Sequence, residues 1–241
     1  MLRLIHHEVR QVLDTRGSLV ALVLAFLLSA VLVAVSVFLI PRPTPAVPPA
    51  ETVGVVTLVV PLGIGLVVVL ATTGEWTHHT GRVTLPMVRS RSALFAGKSV
   101  AMLLLSTALY LLAAGLAAIT AIGVTLFRGH SVEWGDFGFQ LWAGLISTWL
   151  AAVFGFGIAT VVRGFVLSCL VVVGVTLGWN TLATMALHDD QGYLASLTPI
   201  TLATAGQGVP SPPAAAVLSS LLLWYVLPVL IGWWRYRRTE V

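Results

Sequence analysis

The residues with the most chemical capacity in this 241-residue chain lie between Gly74 and Lys98, in GEWTHHTGRVTLPMVRSRSALFAGK. Gly97-Lys98-Ser99 matches the end of a phosphate loop, whose backbone N–H groups cradle phosphates while the lysine reaches them. The leading glycine of GxxxxGK[ST] would fall at Ser92, however, and no strand precedes it. His78 and His79 are adjacent, without the i,i+4 spacing of a helical zinc site, and their only nearby acid is Glu75. No serine stands with a base at matching depth, as an intramembrane hydrolase would need. The expectation is therefore no enzyme, no cofactor and no metal on this chain. What remains is a basic, proline-marked polar segment.

That segment is set among six apolar stretches, at 17–40, 52–74, 99–127, 139–162, 164–187 and 214–234. Each is near or above the ~20 residues that a helix needs to cross ~30 Å of hydrocarbon. Hydrophobic residues make up 58% of the chain and charged residues 9%, well below the ~25% charge of soluble domains. The expected fold class is therefore an all-α polytopic membrane protein with six transmembrane helices in one transmembrane domain, 1–241. Threading the stretches in and out places Arg3, Arg10, Arg16, Arg82, Arg89, Arg91, Lys98, Arg163, Arg235, Arg237 and Arg238 on one side. Only Arg42 and Arg128 fall on the other, with Glu51, Glu133, Asp136, Asp189 and Asp190. Cytoplasmic loops retain Lys and Arg, so both termini are expected inside a cell membrane. The net charge of +4 is then a topology signal, and no nucleic-acid partner is expected.

The first apolar run is too long for the 7–15-residue core of a signal peptide, and no convincing cleavage site follows it. Before it, Leu2, Ile5, Val9, Val12 and Leu13 share one helical stripe, opposite Arg3, Arg10, Gln11 and Asp14. Residues 1–16 are thus expected to form an amphipathic helix lying in the membrane interface. The loop PRPTPAVPPAE is an extended connector, and the outer segment 188–213 is apolar enough in its middle to re-enter the outer leaflet. Ser90 to Lys98 is expected to form a helix leading into the third span. No span core holds Asp, Glu, Lys, Arg or His, so no coupling charge is available at depth. Asn180 is either a substrate contact or, with better odds, a helix–helix hydrogen bond. Gly174 and Gly178 form a GxxxG spacing suited to close helix approach, and Pro61 and Pro228 are expected to kink their helices. The single cysteine, Cys169, falls inside the fifth span and has no intrachain disulfide partner.

The polar block resembles the cytoplasmic loop of ABC-2 type permeases, the membrane subunits of type-2 ABC exporters. In that family the second span ends in an acidic residue, then a histidine or glycine near a threonine, leucines, a proline, arginines and a Gly/Ala-Lys opening the next span. Glu75, His79, Thr80, Leu85, Pro86, Arg89, Arg91, Gly97 and Lys98 fill those places here, although Gly81 follows Thr80 where many members put glycine before it. The six-span layout is similar as well. The resemblance implies a permease that dimerises with a second copy, identical or homologous, and binds two cytosolic ATPase subunits that hold ATP and magnesium. It implies that 75–98 is the coupling segment, with Glu75, His79, Thr80, Arg82, Pro86, Arg89, Arg91 and Lys98 facing the ATPase. It also implies that the first, second and fifth spans line the route. The exported cargo would be a drug, antibiotic, lipid or other amphipathic compound. The alternatives are a structural or regulatory membrane subunit that moves nothing, and a non-ABC channel or transporter.

The topology is open to direct test. Cysteines placed in the outer loops of a Cys169→Ala background should label in intact cells with an impermeant thiol reagent. Labelling at position 90 under the same conditions would overturn the scheme.

Overall fold

A chain this apolar has no water to satisfy its backbone in lipid, so every peptide group must pair within its own segment. The computed structural model describes residues 16–38, 46–77, 91–179, 181–182 and 213–238, and these fall almost entirely in helices. They are α1 (Arg16–Phe38), α2 (Pro49–Thr77), α3 (Arg91–Phe127), α4 (Phe137–Val162), α5 (Phe165–Trp179) and α6 (Ala214–Arg238). Five of them, all but α5, are long and apolar enough to cross a membrane. The protein is thus a membrane-embedded helical bundle. Apolar residues run around every side of the helices, as suits segments surrounded by lipid and by each other.

The helices alternate in direction. Phe95 at the start of α3 packs on Phe156 near the end of α4, with ring centroids 5.0 Å apart, and on Tyr236 near the end of α6, at 5.8 Å. At the opposite end, the Thr125 hydroxyl accepts from the Val47 N–H at 3.0 Å and lies 3.1 Å from the Val47 carbonyl. That joins the end of α3 to the residues leading into α2. One end of the bundle therefore carries Arg163 and Arg235 to Arg238, and the other carries Glu51, Glu133 and Asp136.

Two helices form the centre: α2 touches α1, α3, α4 and α5, and α4 touches α2, α3, α5 and α6. Close approach at glycine makes this possible. A Cβ built on Gly155 of α4 would lie 2.6 Å from the Gly65 carbonyl oxygen of α2. A Cβ on Gly63 would lie 2.6 Å from that of Ala25, which seats α1 on α2. On the far side, Gly157 meets Pro228 and Gly232 meets Thr160 with no space for a methyl group, which seats α6 on α4. Tyr110 of α3 is fully buried; its hydroxyl donates to the Gln140 carbonyl at 3.3 Å and lies 3.4 Å from Thr57 Oγ1. One phenol thus ties α3 to both central helices.

The structure moves several boundaries expected from the sequence. The helix expected over Ser90 to Lys98 is present, starting at Arg91 and running unbroken into the apolar stretch 99–127, while α6 runs on to Arg238 past 214–234. Hydropathy stops at Lys98 and Arg235, but helical hydrogen bonding does not. The expected coupling segment 75–98 is accordingly helical at both ends, with residues 75–77 closing α2 and residues 91–98 opening α3. Of the stretch 164–187, α5 covers Phe165–Trp179, about 22 Å at 1.5 Å per residue. A Cβ on Gly174 or Gly178 meets nothing within 4 Å, so no described helix of this chain approaches them. Both lie in a π-helical stretch, Gly174–Trp179, on the outside of the bundle. The interfacial helix 1–16 lies outside the described residues except for Arg16, and the segment 188–213 except for Pro213.

The glycine crossing sets a stability contrast. Gly155→Ala forces α2 and α4 apart against backbone and should cost about 1–3 kcal/mol, the usual range for overpacking. Gly115→Ala adds a methyl where nothing lies within 4 Å and should leave the detergent melting midpoint unchanged or higher. Equal midpoints for the two variants would remove the crossing as a packing constraint.

Candidate functional site

Between α2, α4, α5 and α6 lies a cavity of about 220 Å³, lined chiefly by Thr57, Pro61, Ser147, Phe154, Val172 and Tyr225. Pro61 sits near the middle of the Pro49–Gly74 span, Ser147 to Phe154 near the middle of Phe137–Val162, and Tyr225 near the middle of Ala214–Arg238. The cavity is therefore at mid-membrane depth. Its floor (Ser147, Phe154, Val172, Tyr225) is buried, while its rim holds Leu58, 80% exposed, and Leu177, 56% exposed. It opens sideways, between α2 and α5.

Its chemistry follows from where the hydroxyl protons go. Ser147 Oγ donates to the Ala143 carbonyl at 2.7 Å and Thr57 Oγ1 donates to the Val53 carbonyl at 3.0 Å. A hydroxyl has one proton, so both oxygens present only acceptor lone pairs to the cavity. Pro61 adds to this, because it lacks the N–H that would take the Thr57 carbonyl four residues back. Among the described residues, no Asp, Glu, Lys, Arg or His lines the space. An engineered apolar cavity of ~150 Å³ holds benzene, so this one takes a ring or a short tail of somewhat larger size. An uncharged, mostly apolar group with a polar end able to hydrogen-bond fits it best.

Both neighbouring helices depart from α geometry beside the cavity. In α6 the turns Leu221–Val226 are π-helical, and in α5 so are Gly174–Trp179. Such wide turns are uncommon and concentrate at functional sites. The proline at 228 gives a cause in α6, since its ring would collide with the Trp224 carbonyl in a regular helix. The two wide stretches meet through Trp179 and Trp224, whose ring centroids are 6.2 Å apart. Phe154 of α4 stands 6.1 Å from both Trp224 and Tyr225.

Of the residues singled out from the sequence, Pro61 lines this cavity. Asn180, His79, Thr80, Arg82, Pro86 and Arg89 lie outside the described residues, while Glu75 falls in the last turn of α2 and Arg91 opens α3. Lys98 is only 6% exposed, packed inside this chain. Thr57, Ser147 and Tyr225 went unremarked in the sequence. A tyrosine or hydroxyl in an otherwise apolar run was the available signal.

No family model matches the chain, and no curated protein does. The cavity must stand on its own geometry, which a pair of substitutions checks. Ala151→Leu grows into the cavity and should leave the melting midpoint unchanged or higher. Ala159→Leu, at a fully buried position of the same helix, should cost about 1–3 kcal/mol by overpacking. A comparable loss in Ala151→Leu would mean the space is already filled.

Proposed function

We propose that this chain is the permease subunit of an ATP-driven exporter of the ABC-2 type. The observation that carries this reading is a mid-depth cavity in spans without a single ionisable core residue. A pathway of that kind has no group at depth to couple to protons or ions, so the driving energy enters from outside the bilayer core. Six spans are completed by α5 together with 180–187, and residues 1–16 lie as an interfacial helix. The arginine-rich end is cytoplasmic, with both termini inside the cell membrane.

On that side α2 and α3 extend past the apolar stretches and bracket residues 78–90. Glu75, His79, Thr80, Arg82, Pro86, Arg89 and Arg91 form the coupling surface for a separate cytosolic ATPase. Lys98, buried in this chain, instead holds the start of α3 in place. Two permease copies, identical or homologous, form the route between their first, second and fifth spans. The sideways opening at Leu58 and Leu177 gives the apolar part of a cargo access to the cavity from that face. Cargo is thereby an uncharged or amphipathic lipophile of the drug, antibiotic or lipid class.

The test is a pull-down of the ATPase alongside an efflux assay. The permease alone should bind no ATP. Glu75→Ala, and charge reversal at both Arg89 and Arg91, should weaken ATPase docking by one to two orders of magnitude per lost charge-assisted contact, taking each at roughly 1.5–3 kcal/mol. Reversal of Asp189 and Asp190 should leave docking unchanged. Normal docking and efflux in both sets of inner variants would reduce those residues to topology signals.

A further inference from the structure

Lipid is the solvent at the depth of the cavity between α2, α4, α5 and α6, and that decides what its walls can select. Lipid tails are as apolar as leucine, so an apolar molecule gains nothing merely by leaving the bilayer for an apolar hollow. It gains only from contacts that hydrocarbon cannot make. The cavity offers two kinds. Phe154 and Tyr225 stand on its wall with ring centroids 6.1 Å apart and planes at 60°. A further ring laid against them meets aromatic faces and edges, whose uneven charge favours tilted and edge-on contact that CH2 groups do not provide. The Thr57 and Ser147 hydroxyls add hydrogen-bonding capacity at a depth where the lipid itself supplies none. A lipid tail therefore finds nothing here that it lacks outside, whereas an aromatic compound with a polar end finds both.

Size narrows the class further. The cavity, about 220 Å³, is roughly half as large again as the ~150 Å³ space that holds benzene, which is the step from one ring to two fused rings. Its rim at Leu58 and Leu177 is exposed, so the way in is from the lipid. We propose that the cavity is a binding site for a neutral, two-ring aromatic compound carrying one hydrogen-bonding group, taken directly from the bilayer. That such a compound is the exported cargo rests on the permease reading; that it binds this chain does not.

The experiment is equilibrium dialysis of nanodiscs holding the purified full chain against empty nanodiscs of the same lipid, with naphthol, naphthalene and decalin as probes. The three share one fused two-ring skeleton and differ first by the hydroxyl and then by aromaticity. Retention in excess of the empty discs should saturate at one probe per chain. Naphthalene should bind about 2- to 10-fold more tightly than decalin, and naphthol about fivefold more tightly than naphthalene. Ala151→Leu, which grows into the cavity, should abolish the excess for all three, while Gly115→Ala, where nothing lies within 4 Å, should keep it. Phe154→Leu should narrow the gap between naphthalene and decalin. That ratio is read within one variant, so it decides the matter even where Ala151→Leu lowers the yield of folded chain. An equal excess of the three probes, an unchanged gap in Phe154→Leu, or an undiminished excess in folded Ala151→Leu would each overturn the proposal. So would no excess at all on the folded chain, which would mean that the space is already filled. None of these outcomes bears on the ATPase pull-down, and a failed pull-down would leave this binding standing.

Discussion

Gly155 of α4 meets the backbone of Gly65 in α2 with no room for a methyl group between them, and the rest of the bundle is arranged around that crossing. Lipid tails are as apolar as leucine, so helices in a bilayer are not pressed together by water; they associate through packing and a few hydrogen bonds. The central pair fulfils this with glycine at the crossing. The outer helices repeat the device, α1 through Gly63 and α6 through Gly157 and Gly232. Hydrogen bonds are then needed only where packing leaves polar atoms inside, as at Tyr110, Thr57 and Gln140.

The cavity is a consequence of the same crossing. Gly65 draws α2 onto α4 at one level and is itself part of the cavity wall. Just above, Pro61 and the bulk of Phe154 and Tyr225 hold the neighbouring surfaces apart. A bundle with α2 and α4 equally close along their length would have no such space. Because the Thr57 and Ser147 hydroxyls give their protons to their own helices, they line the cavity without needing a charge there. Absence of charge in the middle and concentration of arginine at one end are two halves of one arrangement. The first suits an uncharged occupant of the cavity, and the second suits helix ends lying at the membrane surface.

Much of this architecture was legible in the sequence, and the illegible parts share a cause. Uncharged apolar runs locate the spans because a buried charge in lipid is costly, and that cost is a property of composition alone. The same logic ended α6 too early, since an arginine within reach of a helix end does not interrupt the helix. Lys98, expected to end a helix leading into the third span, does lie in α3, but its burial could not be read from composition. Glycine misled differently. The GxxxG spacing at Gly174 and Gly178 faces open space, while the glycines at 65, 155 and 157 make the close contacts without that spacing. Which glycine meets a neighbour depends on helix rotation, and rotation is hidden when every face is apolar.

Helix α6 shows how rotation can be recovered once burial is known. Beyond Ala216, its buried residues fall at Val217, Ser220, Tyr225, Pro228, Gly232 and Tyr236. Every step is three or four residues, as an α-helix requires to keep one face inward, except the step of five from Ser220 to Tyr225. That step coincides with the π-helical stretch Leu221–Val226, where a turn holds more residues. The wide turn therefore absorbs one extra residue and keeps the inward face in register on both sides of it. Proline at 228 makes the wide turn necessary, because a regular helix would press its ring on the Trp224 carbonyl. Register then makes the extra residue useful, because Tyr225 is delivered to the cavity floor while Gly232 still reaches Thr160. A local backbone exception thus lets one helix satisfy both the cavity and the close packing beneath it.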